Sequence, residues 1–304
     1  MKTFEYMRPT SVEDACAALA RADGSAKALA GGTDLLVQMK QGRLQPNALV
    51  SLRDVVGLSF VRLEEDGGLA LGAATSLAAI ENSATVLDTF PAIAEAASRI
   101  GSVQVRSRAT VGGNLCNAAP SADMAPILIA YGARATVSDG HAERTLPLED
   151  FFTGPGQTVL RAGELLKAIT VAAAPAGSFA TYKKAYRSAM DIATVGVGVM
   201  AVFAPVPSPG ETGLASAAPV VREVRLVLGA VAPTPIRARA AEQLLTGRRL
   251  DEALIAQASH TAAEEARPIT DVRASAEYRT ILVEVLSRRA LLAARAWAEK
   301  GGQG

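Results

Sequence analysis

Apolar residues recur at helical spacing at Val12, Ala15, Leu19 and Ala22, directly behind Ser11. That pattern predicts a helix capped by Ser11, with Glu13 and Asp14 in its first turn and Gly24 as its stop. A short apolar run at 27–30 predicts a strand that ends in Ala30-Gly31-Gly32-Thr33-Asp34. Residues 35–39 predict one or two helical turns, and 48–52 a buried strand. A second unit is expected to begin near Gly57. There, 60–63 and 69–71 flank Asp66-Gly67-Gly68 as a hairpin. Ser76 should cap a helix reaching about residue 84, and Pro91 should open another that runs to about 100. A second glycine pair, Thr110-Val111-Gly112-Gly113-Asn114, precedes an apolar helix near 124–131 and a strand at 134–138.

The pattern changes again past Ala172-Ala173-Ala174-Pro175-Ala176-Gly177. Strands are expected at 195–203 and 220–231, joined by a loop running from Pro205 to Pro219. Helices are expected at 236–245, 251–266 and 275–298. In the last, Tyr278, Ile281, Leu282, Val285, Leu292 and Ala296 form the predicted buried stripe. The division that follows is 1–56, 57–175 and 176–304.

Composition narrows the class. The 304 residues are 49% hydrophobic and 20% charged, as in a globular protein. A net charge of +1 gives no reason to expect nucleic acid. No apolar stretch is long enough for a transmembrane segment, and the first residues lack a signal-peptide core, so the expected compartment is cytoplasmic. Two cysteines, Cys16 and Cys116, and two histidines are too few for an iron–sulfur cluster held wholly by cysteine. Any metal redox centre this chain serves is expected on another chain.

The glycine pairs carry the candidate chemistry. Paired glycines admit positive φ and close approach to a ligand, and successive N–H groups in such turns form anion-binding nests. Two such turns predict one diphosphate held from both sides. The first lacks Gly-Lys-Ser/Thr, so it is not a P-loop, and neither turn is a G-x-G-x-x-G fingerprint. Thr110 and Asn114 flank the second with short polar side chains suited to phosphate or ribityl oxygens. Asp123 reads either as a helix cap or as an acceptor for ligand hydroxyls.

Ala30-Gly31-Gly32-Thr33-Asp34-Leu35-Leu36 together with Thr110-Val111-Gly112-Gly113-Asn114-Leu115, then Pro120 and Asp123, strongly resembles the FAD-binding subunit of the molybdenum hydroxylases. This is the family of xanthine dehydrogenase and carbon monoxide dehydrogenase. The likeness runs from Tyr6-Met7-Arg8-Pro9 to the C-terminal helices. It implies an α+β chain: a two-subdomain FAD-binding fold of the vanillyl-alcohol oxidase type, then an antiparallel sheet with a helical cluster. It implies FAD contacts at Leu29, Ala30, Gly31, Gly32, Thr33, Asp34, Leu35, Thr110, Gly112, Gly113, Asn114, Asn117 and Asp123. Backbone N–H groups of Gly31, Gly32, Gly112 and Gly113 would meet the pyrophosphate. Leu165 and Leu166, in Gly163-Glu164-Leu165-Leu166, would pack near the flavin and adenine. Lys183 would lie near the flavin ring, with adjacent Lys184 as the alternative, and Ile192 stands where some relatives carry an aromatic residue.

The resemblance also implies partners. A large subunit would carry the molybdopterin cofactor, and a small one two 2Fe-2S clusters. The assembly would be a dimer of heterotrimers, a heterohexamer, passing electrons to NAD, quinone, a protein or oxygen. This chain would supply no catalytic acid, base, nucleophile or metal ligand. The competing expectations are a self-sufficient flavin reductase like UDP-N-acetylenolpyruvoylglucosamine reductase, and a scaffold that has lost flavin.

Overall fold

A computed structural model describes residues 2–21, 25–188, 190–205 and 218–302. The stop expected at Gly24, and most of the loop expected between Pro205 and Pro219, lie outside the described residues. Among the described residues there are four sheets, three large ones and a two-stranded pair of Phe152–Gly154 with Gln157–Thr158, in the mixed helix and sheet class expected.

The first sheet has three parallel strands, with Ala48–Ser51 between Glu5–Met7 and Ala26–Leu29. All four residues of the central strand are buried, as a parallel strand covered on both faces requires. The Val12–Arg21 helix covers it with Ala15, Cys16 and Leu19. Ser11 caps that helix, its Oγ accepting the Asp14 N–H at 3.0 Å. The first glycine turn leaves this sheet at the carboxyl end of Ala26–Leu29, where open parallel sheets place their ligands.

The second sheet is antiparallel, ordered Val61–Leu63, Leu69–Gly72, Leu165–Val171, Arg134–Ser138 and Glu143–Pro147. The helix expected from Ser76 to about 84 is two helices, Leu77–Glu81 and Ala84–Thr89. The Asn82 side chain turns back to the Ala78 carbonyl at 2.7 Å, and Ser83 then caps the second helix. Such short polar side chains compete with helix continuation.

The third sheet orders Ser178–Ala185, Val195–Phe203, Val221–Gly229 and Ile236–Arg237. All nine residues of Val195–Phe203 are buried. One face meets the wholly buried Met124–Ala130 helix, and Gly198 makes that approach possible: a Cβ there would lie 2.6 Å from the Pro126 carbonyl oxygen. The opposite face meets the helices Arg239–Leu245, Glu252–Glu265 and Ala276–Glu299. The first of these starts later than expected, because Ile236 and Arg237 pair with Leu228 and Val227.

The stripe expected in the last helix is corrected. Val283, Leu286, Ser287, Ala290, Leu291, Ala294 and Ala298 face the core, with Arg279, while Tyr278 and Ile281 are about half exposed at 52% and 53%. Small residues let the helix close onto its neighbours, so the bulkier positions turn outward. Among the described residues no helix is long and apolar enough to cross a membrane.

Candidate functional site

A cavity of about 580 Å³ opens between the first glycine turn, the second, and the Ser178–Ala185 strand. That volume falls in the usual range of cofactor sites, roughly 300–1,000 Å³. Its walls include Ala30, Gly31, Gly32, Thr33, Asp34, Leu35, Thr110, Gly113, Asn114, Asn117 and Asp123, which the sequence had placed together. Leu29, Gly112, Leu165, Leu166 and Lys183 do not line it.

The first turn is open. Among the described residues no protein acceptor meets the backbone N–H groups of Gly31, Gly32, Thr33 and Asp34. Gly32 sits at φ +75°, a conformation that suits glycine. Gly31 is held against the second turn's approach: a Cβ on it would lie 2.0 Å from the Arg108 carbonyl oxygen. Partial desolvation pushes the Asp34 carboxyl above its ordinary range, against a hydrogen bond from the Thr33 side chain.

The second turn is closed. Val111 N–H donates to the Thr75 carbonyl at 3.0 Å, Gly112 N–H to Ala73 at 2.8 Å, and Asn114 N–H to Thr110 at 2.9 Å. Gly113 N–H donates to the capping Thr110 Oγ1 at 3.0 Å. Gly112 is a packing glycine, since a Cβ would stand 2.6 Å from both the Cβ and the carbonyl oxygen of Ala73. The N–H groups of Gly112 and Gly113 are therefore committed to the fold, contrary to the expectation that both glycine pairs offer theirs to an anion. The second turn presents side chains instead, from Thr110, Asn114 and Asn117.

Asp123 precedes the Met124–Ala130 helix but makes no cap bond. Its carboxylate accepts the Tyr182 hydroxyl at 2.7 Å and Lys184 Nζ at 3.0 Å. Lys184 Nζ donates also to the Arg99 carbonyl at 3.0 Å, and its side chain is 3% exposed. Burial raises the Asp123 carboxyl, opposed by the Lys184 charge, and raises the Tyr182 hydroxyl well above its ordinary value. Successive strand residues face opposite ways, so Lys184 shares the face of Tyr182 and lines the cavity, and Lys183 does not. Tyr182 was missed as a site residue; the period-two alternation along 178–185 was the signal that ties it to Lys184.

Leu165 and Leu166 point into two different cores. Leu165 packs with Ala15, Cys16 and Val50, and Leu166 with the cluster of Leu69, Leu128 and Val137. Ile192 does reach the cavity mouth, beside Met190 and Asp191.

Known proteins share this fold. The family described as the FAD binding domain in molybdopterin dehydrogenase matches residues 2–173. This chain belongs to that family. The CO dehydrogenase flavoprotein C-terminal domain matches 180–294. The chain is 33% identical over 301 residues to the xanthine dehydrogenase FAD-binding subunit of Escherichia coli, covering 98% of this chain and 97% of that one. It is 33% identical to the carbon monoxide dehydrogenase medium chain of Hydrogenophaga pseudoflava, covering 97% of each. A solved structure of carbon monoxide dehydrogenase from Hydrogenophaga pseudoflava superposes with a TM-score of 0.89 at 34% identity, over 98% of both chains. Quinoline 2-oxidoreductase from Pseudomonas putida 86 superposes at 0.86 with 28% identity, over 99% of both. The protein is thus an FAD-binding subunit of an oxidoreductase in the molybdenum hydroxylase family. The site fits that cofactor: the unpaired N–H groups of the first turn are donors for a diphosphate, and the polar side chains opposite suit its hydroxyls.

Proposed function

We propose that this chain holds FAD in the cavity between its two glycine turns. There it accepts electrons from a small 2Fe-2S subunit and delivers them to an external acceptor. A large subunit bearing the molybdopterin cofactor oxidises the substrate. The single observation that carries the reading is the row of unpaired N–H groups at Gly31, Gly32, Thr33 and Asp34, opening into a walled cavity.

Bound FAD supplies the exchange between one-electron and two-electron redox partners. The chain's residues bind and orient. The first turn's N–H groups hold the pyrophosphate, and its local concavity favours negative charge. Thr110, Asn114 and Asn117 bind ribityl or ribose hydroxyls, and Asn114 is steadied by accepting the Met124 N–H at 3.4 Å. Lys184 places a cation in the wall, which favours added electron density on the cofactor. With two cysteines in 304 residues, the iron–sulfur relay belongs to a partner. The carbon monoxide dehydrogenase relatives are medium chains by name, which supports an assembly with large and small subunits.

Purification of the full chain with its genomic neighbours tests the proposal. The expected result is one FAD per chain, reduced by the substrate only when the molybdenum and iron–sulfur subunits are present. Steady turnover of a small substrate with NADPH by the isolated chain would overturn it in favour of a self-sufficient reductase. Bleaching of the flavin by NADH would identify the nicotinamide as acceptor.

A further inference from the structure

Among the described residues the cavity wall carries a buried ion pair, Lys184 with Asp123. Both side chains are nearly enclosed, at 3% and 7% exposure. Each charge has a second, fixed partner. Asp123 accepts the Tyr182 hydroxyl on its other oxygen, and Lys184 Nζ donates to the Arg99 carbonyl. The lysine ammonium also lies 5.8 Å from the Tyr186 ring centroid. The partners come from four separate places: the turn before Met124–Ala130, the end of Pro91–Ser98, and two positions of one strand face. Buried ion pairs are weak sources of stability, because desolvation offsets their attraction. This one nevertheless lines the cavity with both members.

The other charged side chains of the lining differ. Asp191 is held by Arg187 at 2.9 Å, whose own side chain is half exposed, and Asp34 and Lys27 stand at exposed positions. Solvent screens such charges. Lys184 and Asp123 act through protein rather than water, where Coulomb interactions reach farther.

We infer that Asp123 is a positioning and charge-balancing residue that sets, through Lys184 and with its own orientation fixed by Tyr182, the reduction potential of the FAD bound in this cavity. Asp123 partly cancels the lysine's charge, so the cofactor meets a tempered cation. The sign of the effect does not depend on which part of FAD the lysine approaches, because reduction adds negative charge to the cofactor and any fixed cation in the wall favours it. This inference rests on the proposed FAD site.

The test is the midpoint potential of FAD bound to the full chain, with FAD affinity measured alongside. Lys184→Met should make the potential more negative. Asp123→Asn should make it more positive, since the lysine is then unopposed. The double variant removes both charges and should fall between the two single variants. Tyr182→Phe, the change least disruptive to folding, should move the potential in the negative direction by a smaller amount, because Asp123 loses a hydrogen-bond donor that disperses its charge. Opposite shifts for the two single variants support the inference. Coincident potentials in all FAD-loaded variants, or shifts of one sign for Lys184→Met and Asp123→Asn, overturn it. Should a single variant fail to fold, an unchanged potential in Tyr182→Phe overturns it and a negative shift supports it. A wild-type chain that takes up no FAD would contradict the proposed function instead, a distinct outcome.

Discussion

The two glycine pairs look alike in sequence and behave oppositely in the fold. At Gly31-Gly32 the backbone N–H groups point to no protein acceptor. At Gly112-Gly113 every N–H is spent, on Ala73 and on the Thr110 side chain. The first pair leaves the end of a parallel strand, where the chain has no neighbouring ladder to satisfy it. The second is pressed against residues 73–75, whose carbonyls take the donors. A glycine pair therefore serves a ligand only when the surrounding fold leaves its N–H groups unclaimed. Otherwise glycine marks close packing.

Substitutions can break or sharpen that contrast. The largest effect is expected at Gly112→Val, which forces a branched side chain into the Ala73 contact. Overpacking of this kind should cost on the order of 3 kcal/mol of apo stability, read by denaturant unfolding without FAD. An unchanged midpoint would show that the second pair is not a packing element. Gly32→Ala should separate binding from folding. An alanine at φ +75° costs roughly 1–2 kcal/mol, while the disturbed nest should weaken FAD at least tenfold, about 1.4 kcal/mol, by fluorescence titration. Equal FAD affinity would remove the first turn from the binding site. Thr110→Ala loses the cap on Gly113 and should destabilise the apo chain by about 1 kcal/mol, measured by thermal melting.

A smaller, pH-dependent effect lies away from both turns. The Arg273 backbone N–H, then the Arg279 guanidinium and the Ala274 N–H, hold the Asp271 carboxyl below the usual carboxylate range. A depressed carboxylate contributes stability that is full above the unfolded value of about 3.9 and is lost as pH falls toward the folded value. Asp271→Asn should therefore flatten the acid limb of the stability profile while leaving FAD affinity at neutral pH unchanged.

Much of the fold was legible because local signals agreed with packing. Ser11, Asp66-Gly67-Gly68 and the long apolar run at 195–203 each say one thing at both levels. The failures share a cause. Tyr278 and Ile281 looked like core because they are large, yet Ala290, Ala294 and Ser287 were chosen for closeness. Leu165 and Leu166, expected beside the cofactor, lie in a strand between two cores that sends neighbours to opposite sides, which the motif alone does not show. The choice between Lys183 and Lys184 needed strand facing, which depends on Tyr182 being inside. Whether an N–H group is free depends on residues distant in sequence, as Gly112 and Ala73 show, and no motif carries that information.

The most direct test is residue-resolved amide hydrogen exchange of the chain with and without FAD. Val111, Gly112, Gly113 and Asn114 should already be protected in the apo chain and change little. Gly31, Gly32, Thr33 and Asp34 should exchange freely until FAD is added and then be protected. Protection gained at the second turn, with the first unchanged, would contradict the contrast between the two glycine pairs.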